Sequence, residues 1–357
     1  MPENIKKIQN AVAESEFDAL LITSPQNRFY ATGFRSSAGE IIITADDAVL
    51  YIDARYVEEA AANIKTARVE RMMNRAKSFE ILSDYFAKNG VKTLAVEETS
   101  LSYAQYRVYA DNLPVELVNG SKLLSDLRSI KTPEELELLI AAQRLAERAF
   151  NATVPLITRR MTEKDFDAEL VSNMLKLGAE DKAFSTISVT GTHTSSPHGH
   201  PDNRLIGDGF FTIDFGAKLN GYNSDTTRTL CVGEPTREME KVYNTVLAAQ
   251  TAAINAAKAG MTGKELDGIA RQVIADAGYG EYFSHSLSHG LGIDVHESPN
   301  ASQASQDILR AGAVISAEPG IYIPGKFGVR IEDVIYITET GCIDITNLPK
   351  ELTVLDI

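Results

Sequence analysis

A chain of 357 residues is longer than one ordinary hydrophobic core organises, so two domains of usual size are expected. Its 35 basic and 49 acidic residues leave a net charge of −14, which argues against a general binder of nucleic acid or of anionic membrane surfaces. All six histidines (His193, His198, His200, His285, His289, His296) follow residue 192, and Cys231 and Cys342 lie too far apart for a CxxC pair, a zinc cluster or a disulfide framework.

The segment Met1-Pro2-Glu3-Asn4-Ile5-Lys6-Lys7 has no apolar stretch behind its lysines, so no secretory signal is expected. No run approaches the ~18 apolar residues of a membrane span. A reducing cytoplasm is the expected location. Strand-like runs rich in branched residues follow at 18–22, 40–44, 48–52 and 93–96, and helical patterns at 58–63, 78–88 and 103–111. Residues 1–130 read as a small α/β domain with 15 basic and 18 acidic residues, net −3. The other −11 falls in residues 131–357.

The boundary is placed near Ser129-Ile130-Lys131. Thr132-Pro133-Glu134-Glu135 combines an N-cap, proline at the first helical position and a glutamate three residues past the cap. A long amphipathic helix is expected behind it, through Leu136, Leu139, Ile140, Ala146 and Phe150. Met161-Thr162-Glu163-Lys164-Asp165-Phe166-Asp167 returns 100 residues later as Met261-Thr262-Gly263-Lys264-Glu265-Leu266-Asp267. Each copy leads through a Phe-Ser pair to a histidine-bearing stretch and then to two carboxylate-bearing strands. Two pseudo-equivalent halves facing each other are expected.

In the first half, Asp214 sits inside an apolar strand, and Asn220-Gly221 is a strong hairpin signal. With that turn, Ala217 pairs with Ser224 and Asp214 with Thr227, which puts Asp214 and Asp225 diagonally on one face, roughly 7–8 Å apart. A buried carboxylate pair without a cation would repel. In the second half, 313–320 and 329–335 form the matching hairpin, with Glu318 and Glu332 inward and Pro319 marking a strand end. Between the hairpins, His285 and His289 stand four apart. The glutamate a zincin helix needs is absent, however, and Gly290 and Gly292 favour a loop or short strand. One histidine with four carboxylates is an oxygen-rich set suited to two hard or borderline divalent ions.

The ordered set Asp214, Asp225, His289, Glu318 and Glu332 resembles the metallopeptidases of the pita-bread fold, and most of all the Xaa-Pro peptidases, proline dipeptidase and aminopeptidase P. The segment His285–Glu297, Glu318-Pro319-Gly320 and Arg330-Ile331-Glu332-Asp333 carry the resemblance, with serines at 286 and 288 where relatives commonly have glycine. It implies an α/β (α+β) chain, with a creatinase-like domain at 1–130 and a pita-bread catalytic domain at 131–357. It implies two divalent ions on the five ligands, manganese first with cobalt or zinc as alternatives. It also implies hydrolysis of the bond before proline in short peptides, and a homodimer. His198, His285 and His296 match substrate-facing histidines, Glu318 a ligand that also serves as general base, and Arg330 an active-site arginine. Another pita-bread aminopeptidase, of methionine aminopeptidase type, and a non-catalytic peptide-binding relative are the alternatives.

Blander readings apply to other residues. His193 and His200 sit in a Gly/Ser/Pro-rich loop and read as solvated; Cys231 and Cys342 read as small core residues. Arg330 could equally pair with a neighbouring carboxylate.

Overall fold

A computed structural model describes residues 4–357; Met1, Pro2 and Glu3 of the segment read for a signal lie outside the described residues. One compact unit ends at Arg128 and the other runs Ser129–Ile357. Among the described residues, no helix is long and apolar enough to cross a membrane.

The first unit carries α1 (Ile5–Ala13), β1 (Ala19–Ile22), α2 (Pro25–Thr32), β2 (Gly39–Thr44), β3 (Ala48–Ile52), α3 (Val57–Asn63) and β4 (Arg68–Arg71). These are followed by α4 (Arg75–Asn89), β5 (Thr93–Val96), α5 (Tyr103–Asn112), β6 (Glu116–Asn119) and α6 (Ser121–Ser129). The strands form one mixed sheet in the order β4-β3-β2-β1-β5-β6. β1 (Ala-Leu-Leu-Ile) is buried at every position, as a central strand covered on both faces must be. β4 and β6 are the sheet's edges and are half-exposed. β4 (Arg-Val-Glu-Arg) is mostly charged and β6 (Glu-Leu-Val-Asn) offers only two adjacent apolar residues, so neither stands out as an apolar run.

The second unit opens on the expected cap. Thr132 Oγ1 accepts from Glu135 N, and Glu135 Oε2 accepts from Thr132 N, starting α7 (Pro133–Thr153). After it come α8 (Glu163–Lys176), β7 (Asp181–Lys182), β8 (Ile187–Thr190), β9 (Gly209–Phe215), β10 (Ala217–Leu219), β11 (Tyr222–Asn223) and β12 (Thr226–Val232). The order then repeats with α9 (Arg237–Ala256), α10 (Gly263–Asp276), β13 (Ser288–Gly290), β14 (Glu297–Ala301), β15 (Val314–Ala317), β16 (Gly320–Ile323), β17 (Phe327–Arg330) and β18 (Asp333–Ile337). β19 (Cys342–Asp344) and β20 (Val354–Leu355) close the chain.

The repeat is structural as well as sequential. Thr162 and Thr262 both make capping boxes, and each forms a lone antiparallel bridge, to Leu205 and Ile308 respectively. In the first half, Ala146, Phe150, Phe166 and Leu170 pack on Phe211, Phe215 and Leu230 of a sheet ordered β20-β12-β9-β8. The Phe150 and Phe215 rings stack at 5.0 Å, a contact worth about 0.5–1.5 kcal/mol beyond the area it buries. In the second half, Val242, Val246, Leu266 and Ala270 pack on Ile315, Ile335 and Ile337 of a sheet ordered β14-β13-β15-β18-β19.

The first hairpin takes the expected register, and the second forms over the expected segments. Lys218 faces Asn223 and Leu219 faces Tyr222 around Asn220-Gly221, whose φ angles of 50° and 85° are those of a tight mirror-image turn. Asp214 faces Thr227, and Ser224 N donates to Ala217 O at 2.9 Å. In the second hairpin, Ala317 faces Asp333 and Gly320 faces Arg330. The ladder is interrupted between those pairs at Glu318-Pro319 and Ile331-Glu332, and proline at 319 has no N–H for it. Each interruption frees a carboxylate from the sheet pattern. Cys231 is fully buried on β12, while Cys342 is only half-buried.

Candidate metal centre

A cavity of about 390 Å³ opens between the two halves of the second unit. Asp214 and Asp225 reach it from the first hairpin, Glu318, Arg330 and Glu332 from the second, and His285, His289 and His296 from the segment around β13. Loop residues Pro197, His198 and His200 complete that wall. All nine side chains singled out as site residues in the sequence therefore line one cavity.

Asp225, His289 and Glu332 offer ligand atoms that lie within 4.8 Å of one another. His289 Nε2 is 3.2 Å from Glu318 Oε1 and 3.6 Å from Asp225 Oδ2. Its Nδ1 lies 3.1 Å from Gly290 O, which fixes the tautomer by leaving Nε2 to face the carboxylates. Thr227 Oγ1 donates to Glu332 Oε2 at 2.8 Å, and Ser316 Oγ donates to Glu318 Oε1 at 3.2 Å.

The electrostatics are those of a site built for positive charge. Burial, then the Glu332 and Asp214 charges, push the Asp225 carboxyl well above its ordinary range. Burial, then Glu318 and Asp214, do the same to Glu332. Burial opposes a charge on His289, but its bond to Glu318 and the surrounding carboxylates outweigh that and raise it to about 9. Burial likewise opposes the Glu318 charge, and His289, with His285 and Arg330, holds it down at about 2. Asp214 Oδ1 and Glu332 Oε1 are buried with no hydrogen-bond partner among the described residues. Orphaned carboxylate oxygens, a single imidazole and crowded negative charge are a donor set that fits divalent cations.

Arg330 pairs with a carboxylate, the blander of its two readings, and does so inside the site. Its Nη2 donates to Asp214 Oδ2 at 2.7 Å, its Nε to Thr227 Oγ1 at 3.0 Å, and its Nη1 to Tyr322 OH at 2.7 Å and Pro197 O at 3.1 Å. The Tyr322 hydroxyl also lies 2.9 Å from His285 Nε2, and burial drives it up to about 12, so it stays a donor at neutral pH. The His296 ring stands edge-on to His289, with centroids 4.2 Å apart.

Several contributors escape a sequence reading. Tyr322 lies on an ordinary apolar strand, and nothing local marks it. Arg228 donates to the carbonyl of Glu332 at 2.6 Å and to Asp333 Oδ1 at 2.7 Å, fixing the backbone that carries Glu332. The expectation that His193 is solvated does not hold. Its Nδ1 is 3.0 Å from both oxygens of Glu163, a fully buried carboxylate that also accepts from Thr190 N and Asp202 N. Glu163 thereby ties down the loop that carries His198. His200 is exposed, as read, but faces the cavity.

The profile of metallopeptidase family M24 matches residues 137–339, and that of the creatinase/prolidase N-terminal domain matches residues 4–130. A protein of Pyrococcus furiosus named Xaa-Pro dipeptidase is 39% identical over 355 residues, covering 99% of this chain and all of that one. The solved structure of an Xaa-Pro dipeptidase from Bacillus anthracis superposes with a TM-score of 0.94 at 36% identity, covering 99% of each chain. An X-Pro aminopeptidase structure from Thermotoga maritima gives 0.90 at 35% identity, covering 99% of this chain and all of that one.

Proposed function

The chain belongs to metallopeptidase family M24, and from that premise we propose that it is a metal-dependent peptidase cleaving the bond before proline in short Xaa-Pro peptides, foremost Xaa-Pro dipeptides. The observation that carries this is the convergence of Asp214, Asp225, His289, Glu318 and Glu332 on one cavity. These five residues would hold two divalent ions, manganese first, with cobalt or zinc as alternatives. When bound, such ions neutralise the crowded carboxylates, polarise the scissile carbonyl and acidify water at the site.

The protein groups divide the remaining work. Glu318 takes the proton of the attacking water and delivers it to the prolyl nitrogen, which as a tertiary amide has no N–H and must be protonated to leave. His198 and His296 face the carbonyl oxygen as negative charge develops there, and His285, its ring nitrogens held by Ser286 O and the Tyr322 hydroxyl, shapes the seat of the peptide. Arg330 aims Asp214 and opposes the burial that raises its carboxyl, and Tyr322 holds the His285 ring.

Purified protein, stripped of metal and resupplied with Mn²⁺ or Co²⁺, is expected to release proline from Ala-Pro and to leave Ala-Ala largely intact. A longer Xaa-Pro peptide run alongside distinguishes dipeptidase from aminopeptidase action. Failure to cleave any Xaa-Pro bond under these conditions would sink the proposal.

A further inference from the structure

We propose that Asp267 and Arg271, one turn apart on α10, are a positioning pair that sets where His285 stands in the cavity. Why that placement matters for catalysis rests on the peptidase reading above.

Asp267 is fully buried. Its two oxygens take Arg271 Nε and Nη2 at 2.8 and 2.9 Å, and its Oδ1 also accepts from Leu287 N at 3.1 Å. The same guanidinium donates through Nη1 to Phe283 O at 2.8 Å and through Nη2 to His285 O at 2.9 Å, and it lies 4.1 Å from the centroid of the Phe283 ring. Two side chains thus hold three backbone groups of the stretch 283–287. That stretch lies before β13, where no ladder fixes the chain. A planar guanidinium with a fixed fork of donors suits this task, because all its bonds constrain one orientation.

The imidazole is tied down independently. His285 Nδ1 lies 2.9 Å from Ser286 O, and Nε2 lies 2.9 Å from Tyr322 OH. A shift of the backbone at His285 would break both ring bonds together. Leu287 O in turn accepts from Glu318 N at 2.9 Å, so the same stretch continues directly to a ligand carboxylate.

The first half shows that the helix repeat does not itself require this pair. At the equivalent turn of α8, Asp167 stands where Asp267 does, but the position of Arg271 is taken by Val171, and Asp167 Oδ1 has no hydrogen-bond partner among the described residues. There the histidine-bearing loop is held by Glu163, whose counterpart on α10 is Gly263. Each half fastens its own histidine segment with a different buried carboxylate. In the second half the carboxylate recruits an arginine to extend its reach.

The test uses the full chain with Arg271→Lys and Arg271→Met, each labelled with ¹³C,¹⁵N-histidine. With only six histidines in the sequence, each ring signal can be followed, and His285→Gln assigns the one that matters. In metal-free protein the His285 signal is expected to move in Arg271→Met and less in Arg271→Lys, while that of His193 stays in place. With Mn²⁺ and Ala-Pro, kcat/KM is expected to fall about 10- to 100-fold in Arg271→Met, the scale of a misplaced group. Most of that loss should vanish in a His285→Ala background. Val273→Ala, which loosens the core side of the same helix, is expected to lower Tm and leave kcat/KM unchanged. An unmoved His285 signal, or a loss that multiplies in full with His285→Ala, would overturn the positioning role. If the unsubstituted protein cleaves no Xaa-Pro bond, the peptidase reading fails alone, and the ring signals still decide the placement. Should Arg271→Met not fold, Arg271→Lys carries the same comparison.

Discussion

Arg330 Nη2 donates to Asp214 Oδ2 at 2.7 Å, while the other oxygen of that carboxylate, Oδ1, is buried with no hydrogen-bond partner among the described residues. One side of the carboxylate is anchored and the other is left to a ligand. Both partners are largely buried, so the pair cannot be broken cheaply. Arg330→Met is expected to destabilise the metal-free protein by about 3–5 kcal/mol, the usual cost of stranding a buried charge. Arg330→Lys keeps the charge but not the fork, and should weaken Mn²⁺ binding and lower kcat/KM by about 10-fold or more. Denaturant titration and calorimetric metal binding measure the two effects.

The stability of the metal-free protein should fall as pH rises from 6 to 9. Asp225 and Glu332, raised by burial and by each other's neighbourhood of carboxylates, favour the protonated form when folded. Their contribution is complete below the ordinary carboxylate range and is lost as pH climbs through the raised folded values. His289, at about 9 when folded, adds to the same trend, losing its contribution between the ordinary imidazole range and about pH 9. Glu318, held at about 2, is charged throughout and contributes nothing to the slope. Bound metal should flatten the curve and release protons on binding. Tm against pH, with and without Mn²⁺, checks this.

Glu332→Gln follows from the same crowding. It should abolish tight metal binding yet raise the Tm of the metal-free protein at pH 8, because the amide has no carboxyl to ionise or to keep protonated among buried acids. A lowered metal-free Tm would contradict the crowding account.

Tyr322→Phe should leave the fold intact, since the ring that fills the space against Gly320 and Gly328 remains. It removes the hydroxyl shared by Arg330 Nη1 and His285 Nε2. A lost bond to a charged group costs about 1.5–3 kcal/mol of stability, so Tm should fall by several degrees, and kcat/KM should drop about 10- to 100-fold as Arg330 and His285 lose their shared anchor. Steady-state kinetics on Ala-Pro read this directly.

Gly216 faces Asp225 where the first hairpin is interrupted, and a Cβ there would stand 2.0 Å from Ser224 O. Gly216→Ala should push the strands apart, costing about 1–3 kcal/mol and weakening metal binding by displacing Asp225. Thermal unfolding and metal titration on one preparation separate the two losses.

Residues whose chemistry is local were legible in the sequence. Asn220-Gly221 set the register that puts Asp214 opposite Thr227, and Pro319 marked where Glu318 leaves its ladder. Thr132 and Glu135 marked the start of α7 because a capping box lies within four residues. The missing parts depend on partners far along the chain. Tyr322 matters only because Arg330 and His285 converge on it, and Arg271 only because the chain at 283–285 returns to α10. His193 was misread because its partner, Glu163, lies 30 residues earlier on a helix that periodicity alone cannot place beside it. β4 and β6 were missed because edge strands need no continuous apolar run.

The central claim is that Asp214, Asp225, His289, Glu318 and Glu332 together form a metal site whose loading switches on cleavage before proline. Titrating metal-depleted protein with Mn²⁺, while following bound metal by calorimetry and proline release from Ala-Pro in the same samples, tests it most directly. The account predicts that two ions bind per chain, that proline release rises with occupancy, and that Asp225→Asn loses both together. Proline release that persists in Asp225→Asn, or metal bound at full stoichiometry without any release, would contradict it.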